Sequence, residues 1–198
     1  MSQADPASHK KEKKEKSYTR WVLTIFLVTI LISGTISLIS EEIMAASGMV
    51  VAFVILFAII LVGIVFDIVG VAVTSADEKP FHSMAARKVP GAREAINLLR
   101  NAERVSSICN DVVGDICGVV SGAASATIAT QILHNFTFSW PRVVGLVMSA
   151  LVAGFTVGGK AIGKTFAINS STTIVHSVGM VIAFFTRSGK GGKKKKSK

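Results

Sequence analysis

Three carboxylates lie within stretches of sequence that are otherwise apolar: Asp67, Asp111 and Asp115. Asp111 and Asp115 are four residues apart, so on a helix they share one face. Asn110 and Ser107 lie beside them. Carboxylate, amide and hydroxyl oxygens are the ligands that a hard cation such as Mg²⁺ prefers. We therefore expect a Mg²⁺ site formed by Asp67, Ser107, Asn110, Asp111 and Asp115, with Asp67 contributed by a different helix from the others.

The apolar surroundings of these acids leave other interpretations open. A charged side chain at the centre of a membrane helix costs roughly 2.5–3.5 kcal/mol on insertion scales, which makes each acid a candidate functional residue. A second interpretation places all three in the inner half of the bilayer, partly hydrated and paired with basic groups near the cytoplasmic boundary. A proton relay is a third.

The histidines and cysteines do not follow a pattern that supports catalysis. The four histidines fall in predicted tails, turns and interfacial segments, so they do not suggest a Ser-His-Asp arrangement. Cysteine and histidine do not cluster with zinc spacing. Cys109 and Cys117 lie in one apolar segment and are expected to be reduced packing residues. We expect no enzyme.

The distribution of charge along the chain indicates a membrane protein. Of 198 residues, 50% are hydrophobic and 17% are charged, against about 25% charged in a soluble domain, yet the net charge is +10. The charges concentrate in the two ends and in residues 77–104. This pattern argues against a soluble enzyme, a disordered chain or a disulfide scaffold, and predicts an all-α, multi-pass membrane helical bundle. Because Lys and Arg flanking spans normally set topology, and no RNA-binding signature accompanies them, we expect no nucleic-acid partner.

The apolar runs divide the chain into predicted segments. Residues 77–104 are too charged to span, so they form a connector helix at the membrane surface. The remaining segments are a disordered basic cytoplasmic tail (1–20), an extra N-terminal transmembrane helix (21–39), a membrane domain (49–186) with spans at about 49–76, 105–133 and 143–158 and an interfacial helix (168–185), and a Lys-rich cytoplasmic tail (187–198).

The basic segments determine the number of crossings. If the N-terminal tail is inside, two spans bring residues 77–104 inside, and two more bring Lys160 and Lys164 inside. A fifth crossing at 168–185 would place the Lys-rich tail outside, against the positive-inside rule. We therefore predict four spans plus a C-terminal juxtamembrane helix, with both termini cytoplasmic in a cell-membrane protein.

Two further patterns indicate contacts of this membrane protein. Small residues recur every four positions in the third run, which predicts a close-packing helix face without naming its partner. The C-terminal lysines indicate either binding to anionic lipid headgroups or a solvated tail that holds the terminus inside. The small residues are Gly114, Gly118, Gly122 and Ala126, and the lysines are Lys193, Lys194, Lys195 and Lys196.

Three blocks of sequence lie near the ends of the predicted spans: FDIVGVAVTSA at 66–76, PGAREAINLLRNAERVSS at 90–107 and GKAIGKTFAIN at 159–169. They resemble motifs in the transmembrane domain of the cyclin-M/CorC family of magnesium and cobalt transporters. The family motifs are FSGSETALxSL at the end of its first span, a connector ending in LLxNPERxxS, and GExxPKTxA at the end of its last span. The resemblance covers about residues 49–185, and its middle block is the most specific.

This resemblance implies three spans followed by a juxtamembrane helix, a homodimer and a Mg²⁺ or Co²⁺ cargo. The chain departs from the family where Asp67 stands for Ser, Gly70 for Glu, Lys160 for Glu and Gly163 for Pro. The paired nucleotide-sensing modules of the family are not expected here, since a Lys-rich tail follows residue 186. A lysine ammonium in such a site would repel the metal, or replace it by pairing with a carboxylate.

Two functions follow from this reading of the sequence. The first is divalent-cation transport through a site between helices. The second is a non-transporting membrane scaffold or regulator in which Lys160 pairs with an intramembrane carboxylate. The direction of the Lys160 amine distinguishes them.

Overall fold

Long apolar stretches without internal proline form the main helices of the chain, since in lipid every backbone N–H and C=O must be satisfied within the segment. The computed structural model describes residues 6–136 and 140–191, with side chains described within 22–44, 46–136 and 140–186. The helices are α1 (Pro6–Ala46), α2 (Met49–Ser75), α3 (Lys79–Ala86), α4 (Ala92–Arg100), α5 (Ala102–Ser107), a π-helical segment (Ile108–Val113), α6 (Gly114–Asn135), α7 (Pro141–Asn169) and α8 (Ser171–Gly191).

Within the described residues, four helices are long and apolar enough to cross a membrane: Val22–Met44, Met49–Ser75, Ala102–Asn135 and Pro141–Asn169. The protein is therefore an all-α, membrane-embedded, multi-pass helical bundle, and the predicted fold class is confirmed. Many large apolar side chains on these helices are exposed, such as Leu31, Val50 and Leu146. Exposed apolar surface of this extent matches helices whose outer faces contact lipid.

Some helix boundaries differ from the expected ones. α7 continues to Asn169, beyond the expected end of the span near residue 158, since residues 159–169 contain no proline to interrupt it. α1 begins at Pro6, because Lys, Glu and Ala in residues 6–20 favour helix. The predicted connector consists of separate short helices, α3 and α4, joined through Lys88 and Gly91, which both have positive φ.

One half of the bundle packs around the ends of α1 and α6 and the first half of α2. Met44, Leu56 and Ile128 are buried there, together with Met148 and Val152 of α7. A side-chain hydrogen bond ties α1 to α6, with Gln131 Nε2 donating to the Met44 carbonyl at 2.7 Å.

The opposite half, which we call the connector end, packs α3, α4 and α8 against the last turns of α2 and α7. Phe81 of α3 is fully buried, and Val73, Ile96 and Val175 lie in the same cluster. The apolar part of α8, Ser171–Thr186, is shorter than the four candidate spans. α8 packs against the charged, amphipathic α4 and against α2. The juxtamembrane position of α8 stays a prediction.

Two glycines bring α8 against the start of α4. Gly91 has φ +82°, and a Cβ there would overlap the α8 backbone at Gly179 and Met180. Gly179 in turn lies against the Gly91 carbonyl and Ala95. Only residues without a side chain allow backbones to approach this closely. The contact fixes α8 on the connector.

The third span is not regular throughout. α5, the π segment and α6 form one continuous helical element, Ala102–Asn135. The π segment contains Cys109, Asn110 and Asp111. π-helical turns within α-helices are rare and are often found at functional sites. This irregularity was not predicted from the sequence.

Candidate functional site

A buried ion pair joins α2 and α7 within the bundle. Asp67 of α2 is only 5% exposed. Lys160 Nζ of α7 lies 3.7 Å from Asp67 Oδ1. The separation is that of an ion pair and exceeds hydrogen-bond length. The Lys160 amine therefore points at one of the three carboxylates singled out in the sequence.

Glycines on α7 allow the approach that forms this pair. A Cβ on Gly159 would overlap Ile64 of α2, and one on Gly163 would lie 2.8 Å from Ile68. Gly159 and Gly163 are four residues apart, so they present one flat helix face. Small residues at this spacing let membrane helices pack closely. The role of these two glycines in positioning Lys160 was not predicted from the sequence.

Asn110 reaches the same region of α2 from the π segment. A Cβ on Gly70 would overlap the Asn110 carboxamide, so the amide rests directly on the α2 backbone. Asn110 Nδ2 donates to Ser106 Oγ at 3.2 Å. Gly70 lies three residues after Asp67, on the same side of α2. Asp67 and Asn110 thus converge between α2 and the third span.

The start of α6 closes the site beside Lys160. A Cβ on Gly114 would lie 3.2 Å from Lys160 Nζ. Gly114 is buried, whereas Asp115 beside it is exposed. The Lys160 ammonium is therefore bounded by Asp67 on one side and by the α6 backbone on another. We call Asp67, Asn110, Gly114 and Lys160 the inter-span polar site.

Two buried acceptors in the inter-span polar site lack partners within the described residues. They are Asp67 Oδ2 and Asn110 Oδ1. A buried acceptor without a hydrogen bond costs about 1–3 kcal/mol, so such atoms call for an explanation. Both are oxygens. Either can accept a hydrogen bond from water or from an ammonium group, or can coordinate a cation.

The other residues expected to bind metal lie apart from this site. Asp111 and Asp115 are exposed, and Ser107 Oγ donates to Asp111 Oδ2 at 2.8 Å. Ser107 therefore partners Asp111 on its own helix. In the described part of the chain, no three His, Cys, Asp or Glu residues are grouped so that they could hold a metal ion. Of the five expected ligands, Asp67 and Asn110 come together between α2 and the third span, whereas Ser107 and Asp111 pair with each other on their own helix.

The predicted small-residue face of α6 is mostly open. Gly114 is buried, but Gly118, Gly122 and Ala126 are exposed. In the described residues, no heavy atom comes within 4 Å of a Cβ built on Gly118 or Gly122, the helix's own neighbouring backbone aside. Within the described residues, the close packing predicted for this face is therefore seen only at Gly114. The predicted lipid-binding lysines, Lys193–Lys196, lie outside the described residues.

Comparison of the chain with protein-family models, with curated proteins and with solved structures finds no match. The resemblance to the cyclin-M/CorC family therefore rests on the three sequence blocks. What the chain does must be argued from the inter-span polar site itself.

Proposed function

We propose that this protein is a non-transporting membrane scaffold or regulator whose inter-span polar site is held by a resident charge. The observation that carries the proposal is the 3.7 Å approach of Lys160 Nζ to Asp67 Oδ1. The lysine ammonium stands beside the buried carboxylate, where a transported cation would need to bind. The Lys160 ammonium compensates the charge of Asp67 within the membrane and, unlike a bound ion, does not exchange with ions in solution.

Electrostatics support this assignment over transport. A second cation entering beside Lys160 meets a fixed positive charge in a site shielded from water, where like-charge repulsion is strong. Because Lys160 is part of α7, its charge cannot leave the site as a transported ion would. A pair of this kind joins α2 to α7 and keeps the spans in register, which is a role suited to a scaffold.

Divalent-cation transport is the second candidate, and a separate observation favours it. Asp67 Oδ2 and Asn110 Oδ1 are buried oxygens without partners in the described residues. Oxygens of these types suit Mg²⁺, and they would be its first ligands if Lys160 swung away. The family resemblance implies the same cargo.

Metal binding to the full-length protein separates the two functions. We expect the Tm of the wild-type protein in detergent to be the same with Mg²⁺, with Co²⁺ and with EDTA, and reconstituted vesicles to show no Mg²⁺ flux above empty vesicles. We expect Lys160→Glu to gain a Mg²⁺-dependent rise in Tm, because it replaces the fixed cation by a third oxygen ligand, and ligand binding to the folded state raises stability.

Lys164→Glu is the matched control, since it makes the same charge change one turn further along α7 on an exposed side chain. It should gain no response to Mg²⁺. Mg²⁺ flux by the wild-type protein that is lost in Asp67→Ala would refute the scaffold proposal and establish transport.

The cellular setting belongs to the same proposal. We place the protein in the cell membrane with both termini cytoplasmic, because the basic segments then all face inside. We also propose a homodimer, on the basis of the family resemblance and the open small-residue face of α6.

A further inference from the structure

A pocket of about 420 Å³ opens at the connector end, away from the inter-span polar site. It is lined by Lys88 and Pro90 of the α3–α4 loop, by Arg93 and Glu94 of α4, and by Ala183 and Thr186 of α8. Its volume lies within the range of small-ligand sites, about 300–1,000 Å³.

The pocket carries a net positive charge. Lys88 and Arg93 contribute two cations, and Glu94 contributes one anion. Within the described residues, neither Lys88 nor Arg93 has a carboxylate within 4.0 Å of its cationic nitrogens. Glu78, by contrast, is engaged by both His82 and Arg100. The cations of the pocket are therefore available to an anion from outside the chain.

The backbone at Lys88 is unusual for a lysine. Val89 N donates to Met84 O and Lys88 N donates to Ala85 O, which is the Schellman arrangement that ends α3. Lys88 occupies the left-handed position of that motif, with φ +57°, where glycine is favoured. This left-handed residue ends α3 and carries its charged side chain at the rim of the α3–α4 loop that lines the pocket.

Contacts between the α3–α4 loop and α8 fix the position of residues that line the pocket. Gly91 and Gly179 bring the loop against α8, and His176 Nε2 lies 3.1 Å from the Pro90 carbonyl. That hydrogen bond joins α8 to the loop residue that lines the pocket. These contacts fix the α3–α4 loop, which carries Lys88, against α8.

We propose that this pocket binds a phosphate group. An arginine guanidinium presents a planar donor pair that matches phosphate oxygens, and a lysine adds a point charge. Phe184 and Phe185, next to the pocket on α8, are 72% and 71% exposed. Exposed aromatic side chains beside a cationic pocket suit a site at a lipid surface. A phospholipid headgroup and free phosphate both supply the required chemistry.

Binding is tested on the full-length protein in detergent, with short-chain phosphatidylglycerol, short-chain phosphatidylcholine and inorganic phosphate as the probes. We expect saturable binding of phosphatidylglycerol, measured by calorimetry or by the rise in Tm, and weaker binding of phosphatidylcholine, whose choline cation opposes the pocket. Competition by inorganic phosphate would assign recognition to the phosphate alone. Binding of the lipid without such competition would assign it to a headgroup phosphate presented by lipid.

Four variants separate binding from folding. Lys88→Gly and Arg93→Gln should each weaken phosphatidylglycerol binding about tenfold, and Glu94→Gln should tighten it. Lys88→Gly should also raise the basal Tm, because glycine suits the left-handed position, so loss of binding could not be ascribed to unfolding. Arg87→Gln is the matched control, since it removes one exposed charge from the residue next to Lys88, outside the pocket.

Two results would overturn the proposal. One is that none of the three probes binds the wild-type protein. The other is that Lys88→Gly and Arg93→Gln bind phosphatidylglycerol as tightly as Arg87→Gln does. Neither result depends on Mg²⁺ or on Lys160, so failure here leaves the proposed function untouched.

Discussion

The Lys160 ammonium faces Asp67 Oδ1, while Asp67 Oδ2 has no hydrogen-bond partner among the described residues. An ion pair with one carboxylate oxygen unsatisfied depends strongly on its cation. Removing one partner of a buried pair leaves an unpaired charge, which costs more than the pair itself contributes. Here the lysine is about a quarter exposed and the aspartate is not, so the aspartate carries the larger penalty.

Lys160→Met removes the charge and keeps most of the side-chain stem. We expect it to lower the free energy of unfolding by about 1–3 kcal/mol, less than for a fully buried pair because the Lys160 side chain is about a quarter exposed. The measurement is the Tm in detergent. Lys164→Met, on an exposed side chain of the same helix, should change the Tm little.

The double variant Asp67→Asn/Lys160→Met shows whether the loss belongs to the pair. Because both charges are then absent, the double variant should lose less stability than the sum of the losses in Asp67→Asn and in Lys160→Met. Additive losses would mean that the two side chains do not interact.

The sequence predicted a site shared by Asp67 and Asn110, and it left open which of the three carboxylates would pair with Lys160. Each apolar run bounds a span only to within a few residues, so the relative depth of residues on different spans is undetermined. In the structure, Asp67 and Lys160 lie eight and nine residues before the ends of α2 and α7, which is roughly 12–14 Å along each helix. The similar depth of Asp67 and Lys160 can be recognised only when the ends of α2 and α7 are known.

At the scale of helices, the approach of the third span to α2 depends on Gly70. Gly70→Ala places a Cβ against the Asn110 carboxamide. We expect a loss of about 1–3 kcal/mol from overpacking. The change is read as a fall in Tm.

Gly118→Ala provides the comparison for Gly70→Ala. It adds the same methyl group to α6 at a position with no heavy atom within 4 Å of the added Cβ among the described residues. It should leave the Tm unchanged or raise it, because alanine favours helix. Equal losses in the two variants would contradict the assigned contact between α2 and the π segment.

Some helices could be predicted from the sequence more completely than others. The length of the apolar runs predicted the spans, because hydropathy is a local property of the sequence. The extension of α7 to Asn169 was missed, since its last turns contain Lys160 and Lys164 and resemble a loop in hydropathy. The division of the connector into α3 and α4 depends on Lys88 adopting positive φ, which its residue type does not favour.

For the whole molecule, the charge distribution predicts an orientation in the membrane, and labelling of single cysteines can measure it. In a background with Cys109→Ala and Cys117→Ala, Ser83→Cys places a thiol on exposed α3, and Trp140→Cys places one on an exposed residue between α6 and α7. We expect a membrane-impermeant thiol reagent added to intact cells to label residue 140 and not residue 83. The reason is that two crossings place α3 inside and a third places residue 140 outside.

Detergent-solubilised protein is the control, since both thiols should then react. Labelling of residue 83 in intact cells would reverse the proposed orientation. Labelling of both residues would contradict the count of crossings between them.

The π segment has a consequence for the rotational phase of the third span. A π turn carries one residue more than the α-helical turn it replaces, so the helix upstream of Gly114 is turned by about 100° relative to an uninterrupted α-helix. Deleting Val112 would restore regular winding and rotate α5 and the Asn110 region as a unit against α6. Such a one-residue change redirects a whole helix face at once. The π turn thus sets which polar residue of this span meets α2.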